Sequence, residues 1–342
     1  MTWLSDSVLK RLREVAELPD LSQTNYRCIR KIASGGMGSI FLVEDTALNR
    51  NAALKALNIP DPDEDLSRRM LAEAKIIARL EHPGIVPVHD VGTLPDGRIF
   101  YTMKFVQGER LDHHVAGLKG IPEKLRVFQK ICQAVAFAHS RSIIHRDLKP
   151  ENIMVGDFGE VLVMDWGVAK ILKDSLSKEK KAGQEPIADN SDQAPAIQIS
   201  EHETQAGSVI GTPAYMAPEQ AAGNVNKIDE RSDIYALGVI LKQILNHHSE
   251  ENGEHRTRPT KLPKQLVSIY KKALSQKRSQ RYQTASAMEE DTERFLLGQS
   301  VSAYKENPLE VFIRWVKKNN FIVILILTYI IIRFFVYFLY RL

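Results

Sequence analysis

The chain has 342 residues, 44% of them apolar and 26% charged, with a formal net charge of +4. These are ordinary values for a globular protein of one large or two smaller domains, and the charge is too small to argue for nucleic acid. Cys28 and Cys132 make neither a metal-ligand spacing nor a disulfide framework, which fits a reducing compartment. Residues 1–13 show no long apolar run and no small-residue cleavage site, so no secretory signal peptide is expected.

Residues 1–25 carry a short helical pattern around Leu9, Leu12 and Val15, read as a lead-in helix. Ile32-Ala33-Ser34-Gly35-Gly36-Met37-Gly38-Ser39-Ile40, followed by Phe41-Leu42-Val43, reads as a strand–turn–strand hairpin. Its glycines let backbone N–H groups approach phosphate oxygens, although such hairpins are common. Lys55 follows the apolar run Ala52-Ala53-Leu54. It either points to solvent at a strand edge or is buried with a partner, because burial without one is costly. Met70, Ala74, Ile77 and Leu80 recur at helical spacing and leave Glu73 beside the apolar stripe as that partner. His82-Pro83 is expected to end the helix. Residues 85–106 alternate as strands around a turn at Pro95-Asp96-Gly97. Residues 122–142 form a helix with Val127, Ile131, Val135 and Ala138 on its apolar face, and His139 reads as a capping or core histidine.

Ile144-His145-Arg146-Asp147-Leu148-Lys149-Pro150-Glu151-Asn152 comes next. Asp147 can accept a proton from an attacking hydroxyl, Lys149 can hold the phosphate being moved, and Asn152 can hold a metal ion. Phosphoryl transfer asks for those three tasks in one loop. Gly156-Asp157-Phe158-Gly159-Glu160 separates two apolar runs, Ile153–Val155 and Val161–Met164, and reads as a hairpin turn. Asp165-Trp166-Gly167 falls at the end of the second run, thirteen residues after Asn152. From Leu172 to about Gly207 the chain is too polar to offset its own entropy and reads as a mobile insertion or surface linker.

Taken together these motifs resemble the protein-kinase superfamily, and within it the bacterial eukaryotic-like serine/threonine kinases. The resemblance covers roughly residues 26–296, in family order. It implies an α+β, two-lobed fold: a small antiparallel sheet with one helix (about 26–105), then a larger helical lobe (about 106–296). It implies ATP in the cleft, held by Ile32, Ala33, Ser34, Gly35, Gly36, Met37, Gly38 and Ile40 of the glycine-rich loop, with Ala33 where the family has its first glycine. Ala53, Lys55, Glu73, the gatekeeper Met103, Phe105 and Met154 complete that site. Asp147, Lys149, Asn152 and Thr212 carry the catalytic roles. Asn152 and Asp165 hold Mg²⁺, for which Mn²⁺ can substitute, while Asp157 is left as a turn residue despite its literal Asp-Phe-Gly. Trp166 takes the place of the usual Phe. The resemblance further pairs Glu219 with a buried arginine, best Arg281, and has Asp233 hold the catalytic-loop backbone. Arg146 either docks a phosphorylated Thr204 or Ser208 or is a structural contact. Between Ile244 and Leu262 the helix that helps dock substrates in the family looks eroded. The implied partners are protein Ser/Thr acceptors, the chain itself included by autophosphorylation. A homodimer is compatible with the resemblance. The rival readings are a non-catalytic membrane-tethered scaffold and, weakened by the complete segment from Thr212 to Glu219, a small-molecule kinase.

After a juxtamembrane linker (297–320), Phe321 to Tyr340 is nearly all apolar, and twenty helical residues span about 30 Å. Arg333 costs roughly 2.5–3.5 kcal/mol at mid-span, against roughly 4.5–9 kcal/mol gained from the Leu, Ile, Val and Phe residues. Residues 321–340 are therefore expected to be a transmembrane helix. Arg314, Lys317 and Lys318 before it place the preceding domain in the cytoplasm. With only Arg341 and Leu342 beyond, no outer sensor domain is expected.

Overall fold

The structure, a computed structural model, describes residues 18–35, 38–166, 170–171, 213–224, 227–247 and 262–341. Gly36, Met37, Thr204, Ser208, Thr212, the insertion 172–207, the eroded stretch 248–261 and the helical pattern within residues 1–17 lie outside them. The expected lead-in helix does not extend over residues 18–25, which instead form turns closed by Thr24 N–H on Leu21 O at 2.9 Å.

The first lobe is a five-stranded antiparallel sheet in the order β1-β2-β3-β5-β4. Its strands are β1 (Tyr26–Ser34), β2 (Gly38–Asp45), β3 (Arg50–Leu57), β4 (Val88–Thr93) and β5 (Ile99–Lys104). Residues of β3 alternate between two apolar clusters, as a period of two requires. Ala52, Leu54 and Ala56 pack with Phe41, Val43 and Phe100, while Ala53 and Leu57 pack with Met70 and Ile77 of the helix α1 (Glu64–Ala78). Lys55 shares the second face, which is why it meets α1. Asp63 caps that helix by accepting from Leu66 N–H at 2.7 Å. The helix stops a turn before Pro83. A proline disfavours the α region for the residue before it, so a helix ends ahead of it, and here Leu80 N–H tightens onto Ile77 O at 2.8 Å.

The second lobe is built on α2 (Gly120–Ser140), whose buried stripe includes Leu125, Phe128, Ile131, Val135 and Ala138. Short strands carry the loops: β6 (Gly108–Arg110), β7 (Ile143–Ile144), β8 (Ile153–Gly156), β9 (Val161–Val163) and β10 (Lys170–Ile171). The helices α3 (Glu230–Asn246), α4 (Lys264–Ala273) and α5 (Ala285–Leu296) complete it. Between β8 and β9 the chain turns tightly: Gly156 N–H donates to Glu160 O at 2.8 Å and Gly159 adopts φ +77°. Asp157 is exposed at the tip, as turn chemistry requires. Glu219 and Arg281 meet bidentately inside this lobe, at 2.7 and 2.9 Å. Arg281 also donates to Ser275 O and Arg231 O, both at 2.8 Å, and Ser232 Oγ donates to Glu219 at 2.8 Å.

The boundary expected at residue 296 moves outward. Val301 is buried, and Asp291 accepts from Ser302 N–H at 2.7 Å, Ala303 N–H at 3.1 Å and Tyr282 OH at 2.7 Å. The expected linker 297–320 is also not plain chain, since it contains the helix α6 (Pro308–Lys318). The helix α7 (Asn320–Arg341) follows. Among the described residues no single helix is long and apolar enough to cross a membrane. Pro308–Lys318 and Val323–Tyr337 are so only together, and they are bent by 87°.

Two stability predictions follow from the buried charges. Arg281→Ala leaves Glu219 buried without its cation, so urea unfolding should show a loss of about 3–5 kcal/mol. Acid should act the same way. Burial raises the Glu219, Asp233 and Asp291 carboxyls, but hydrogen bonds from Arg281, His139 and Tyr282 respectively lead the groups that outweigh it, and all three are held below the usual range. The unfolded chain therefore binds more protons once pH drops below about 4. Their contribution should be complete above that pH and fade as pH falls through the folded-state values, which a pH series of melting temperatures would read.

Candidate active site

The strand β3 and the helix α1 bring Lys55 Nζ to 2.7 Å from Glu73 Oε1, and the same nitrogen lies 3.5 Å from Asp165 Oδ1. The two carboxylates differ in setting. The Glu73 side chain is 1% exposed and that of Asp165 is 52% exposed. Burial alone would lower the Lys55 ammonium, but Glu73 and Asp165 together outweigh it and its pKa is raised, so it stays charged. Tyr101 of β5 adds a third member, donating its hydroxyl to Glu73 Oε1 at 2.8 Å. Burial, then the Glu73 charge, pushes the Tyr101 phenol well above its usual range, so it remains a donor.

The loop between β7 and β8 is held from below by Asp233 in the first turn of α3. Its carboxylate accepts from His145 N–H at 2.8 Å and Arg146 N–H at 2.9 Å, and pairs with His139 Nε2 at 2.8 Å. Arg146 stands at φ +71°, a left-handed conformation that non-glycine residues rarely adopt. After that turn Asp147 is half-buried, and Lys149 Nζ bonds Asp147 Oδ2 at 2.7 Å. Asn152 Nδ2 donates to Asp147 O at 2.9 Å, which commits its nitrogen and leaves its oxygen for a cation. Asp165 stands at φ +58° with its carboxylate turned toward solvent and Lys55. An amide oxygen and a carboxylate are hard donors that suit Mg²⁺, which takes few protein ligands and fills its shell with phosphate oxygens and water. Among the described residues no group of three His, Cys, Asp or Glu could hold a metal ion without such help. Trp166 is buried in the same apolar cluster as Met70 and Ile77 of α1, with its ring 4.6 Å from that of His145.

Around the cleft, Ala53 lies opposite Met103 in register and Ile40 lies opposite Lys55. Phe105 packs against the main apolar cluster, and Met154 is half-buried on β8. Ile32, Ala33 and Ser34 are exposed at the end of β1. Ala33 pairs with Ile40 as a β1 residue and its φ is not positive, so its methyl group is accommodated where the resemblance expects glycine. Gly38 is needed for a different reason: a Cβ there would sit 2.6 Å from Ala56 O, on the neighbouring strand. Gly35 N–H closes the turn on Gly38 O at 2.9 Å.

Residues 26–299 match the family model described as the protein kinase domain. The chain belongs to the protein kinase family. It is 36% identical over 312 residues to a serine/threonine-protein kinase PknD of Protochlamydia amoebophila, covering 80% of this chain and 30% of that protein. It is 42% identical over 240 residues to the PknD of Chlamydia trachomatis serovar L2b, covering 64% and 24%. The chain thus spans less than a third of these curated relatives. The crystal structure of the Mycobacterium tuberculosis PknI kinase domain superposes with a TM-score of 0.53 at 24% identity, covering 79% of this chain and 95% of that one. That likeness concerns the fold.

In this kinase domain the structure brings Lys55 together with Glu73 and Asp165, and Asp147 together with Lys149 and Asn152. Met164 N–H on Asn152 O at 2.8 Å ties the second group to the residue before Asp165. It leaves Asp157 on the far hairpin, where its N–H meets Gln107 O at 3.2 Å. Sequence reasoning missed Tyr101 and Asn58. Asn58 braces the glycine-rich loop, donating to Gly35 O at 2.8 Å and accepting from Ser39 Oγ at 2.6 Å. The available signal for Tyr101 was period: it is two residues from Met103 on one strand face. Tyr101→Phe and Glu73→Gln should be coupled by about 0.5–3 kcal/mol in an unfolding double-mutant cycle. A coupling near zero would mean that the hydroxyl does not hold Glu73.

Proposed function

We propose that the chain is an ATP-dependent serine/threonine protein kinase. The observation that carries this reading is the convergence on Asp147: Lys149 Nζ on its carboxylate and Asn152 on its carbonyl, with Lys55 reaching both Glu73 and Asp165, the residue after Met164, whose N–H bonds Asn152 O. Asp147 orients a Ser or Thr hydroxyl and accepts its proton as the hydroxyl oxygen bonds to the γ-phosphorus. The bond to the β-phosphate oxygen breaks and ADP leaves. Lys149 steadies the γ-phosphoryl oxygens. Lys55, kept charged and aimed by Glu73 and Tyr101, holds the α/β-phosphates. Asn152 and Asp165 hold a divalent cation, which supplies charge neutralisation at the phosphates. The chain's own contribution is then positioning and fixed electrostatics. Thr212, which lies outside the described residues, is read from the resemblance alone as the residue that favours Ser/Thr acceptors. Protein substrates, including the chain itself, are the proposed acceptors.

We also read α7 as a membrane anchor. Its 22 residues would reach about 33 Å, the thickness of one hydrocarbon core, of which Val323–Tyr337 is the apolar part and too short to span by itself. Arg333, past its middle, lies 6.0 Å from the Tyr329 ring, one turn earlier. Arg314, Lys317 and Lys318 on the near side favour a cytoplasmic kinase domain.

Autophosphorylation of the full chain in detergent, with labelled ATP and Mg²⁺, tests the catalytic reading. Wild type and Asp157→Asn should incorporate label, and Asp147→Asn and Asp165→Asn should lose it by roughly 100-fold or more. No label in wild type would favour a non-catalytic scaffold. Loss with Asp157→Asn but not with Asp165→Asn would place the metal site on the hairpin instead.

A further inference from the structure

The helix α6 is amphipathic the wrong way round for a globular domain. At 100° per residue, Val311, Trp315, Phe312, Leu309 and Ile313 fall on one continuous arc of about 200°, and Glu310, Arg314, Lys317 and Lys318 fill the rest. A helix packed on a soluble protein turns its apolar arc inward. Here Glu310 and Arg314 of the polar side turn toward the chain they pack on. Glu310 accepts from Tyr304 OH at 3.0 Å and Asn307 N–H at 3.1 Å, and lies 3.6 Å from Lys264 Nζ of α4. Arg314 pairs with Glu306 at 2.8 Å. The chain entering the helix is clamped to the domain through Asp291 and Ser302. The apolar arc is left facing out: Leu309 is 68% exposed and Phe312 61%. Phe312 and Trp315 stack there with centroids 6.4 Å apart.

We propose that α6 lies flat in the headgroup region of an anionic bilayer, its apolar arc toward the acyl chains, and so fixes the kinase domain against the membrane. The inference rests on the reading of α7 as an anchor. Three observations select a bilayer as the occupant of this face. The largely apolar α7 follows at once, and the two helices meet at 87°, which suits one lying in the membrane plane and one crossing it. Trp315 and Phe312 lie on the exposed arc, and such rings favour the interface. Lys317 and Lys318 lie at the end of α6 next to α7, on the margins of the apolar arc, where anionic headgroups would meet them. The ties from Glu310 to Lys264 and from Asp291 to Ser302 make the helix an extension of the second lobe. The cleft would then sit at a set height above the lipid, which restricts acceptors to membrane-bound or membrane-proximal proteins.

The test uses the full chain reconstituted into phosphatidylcholine vesicles with or without phosphatidylglycerol. Flotation reports the anchor. The fluorescence of Trp315, taken as the difference between wild type and Trp315→Phe, reports α6 through lipids brominated near the headgroup or near the chain ends. The expected result is flotation with Trp315 quenched most by shallow bromine. That quenching should be stronger with phosphatidylglycerol, and the gain should be lost in Lys317→Glu/Lys318→Glu. A floating chain whose Trp315 answers only to aqueous acrylamide overturns this inference and leaves the anchor standing. Deep quenching overturns it by making α6 part of the span. Shielding from both lipid and water overturns it in favour of a second copy covering the face. A chain that does not float removes the anchor and this inference together.

Discussion

The buried carboxylate of Asp233 is the constraint on which the site depends. It takes two adjacent backbone N–H groups of the catalytic loop and the imidazole of His139, all within 2.9 Å. A charge buried this deeply is tolerable only when its oxygens are satisfied. Its position in the first turn of α3 adds the favourable end of the helix dipole. That grip over-determines the left-handed turn at Arg146, a conformation costing on the order of 1–3 kcal/mol that persists only where its surroundings insist on it. From above, Gln220 Nε2 closes on Arg146 O at 2.8 Å, and His145 spans to Met164 O at 3.0 Å. With Arg146 fixed on both sides, the next residue has little choice of direction. That residue is Asp147.

The second organising idea is graded burial around Lys55. Glu73 is sealed in and shares its Oε1 between a lysine and a tyrosine, so it holds the ammonium in place without access to solvent. Asp165 is half exposed and reaches the same ammonium at a longer distance. One carboxylate therefore acts as a fixed structural partner and the other stays open toward the cleft mouth. The arrangement is a buried brace next to an accessible donor, which is what a site that must admit and release phosphates needs. The bulk of Trp166 fits it as well: the indole occupies the apolar cluster that α1 closes, so the left-handed turn at Asp165 sits between a packed ring and open solvent.

The same logic of buried carboxylates extends to the edge of the domain. Asp291 gathers Tyr282, Ser302 and Ala303 much as Asp233 gathers the catalytic loop. The chain beyond α5 is thereby part of the folded domain, and α6 is tied to it through Glu310 and Lys264.

Much of this was legible in the sequence. The pairing of Lys55 with Glu73 follows from period, while the roles in the catalytic loop and the expectation of a metal aspartate at the end of the second strand came from the resemblance. Period and turn chemistry then put Asp165 at that strand end and Asp157 in the hairpin tip. Turn chemistry around Gly156 and Gly159 disqualified the literal Asp-Phe-Gly, because a hairpin tip cannot also be the end of the second strand. Local sequence determines such things because period and turn preference are properties of a few consecutive residues. Other features were decided only by tertiary structure. The hydroxyl of Tyr101 reaches Glu73 across 28 positions, Asn58 braces a loop 23 residues away, and Gly38 is required by the carbonyl of Ala56 on the next strand. The inward-facing polar side of α6 and the true edge of the domain belong with these. Each depends on which surfaces the packed lobes bring together, and no window of sequence contains that information.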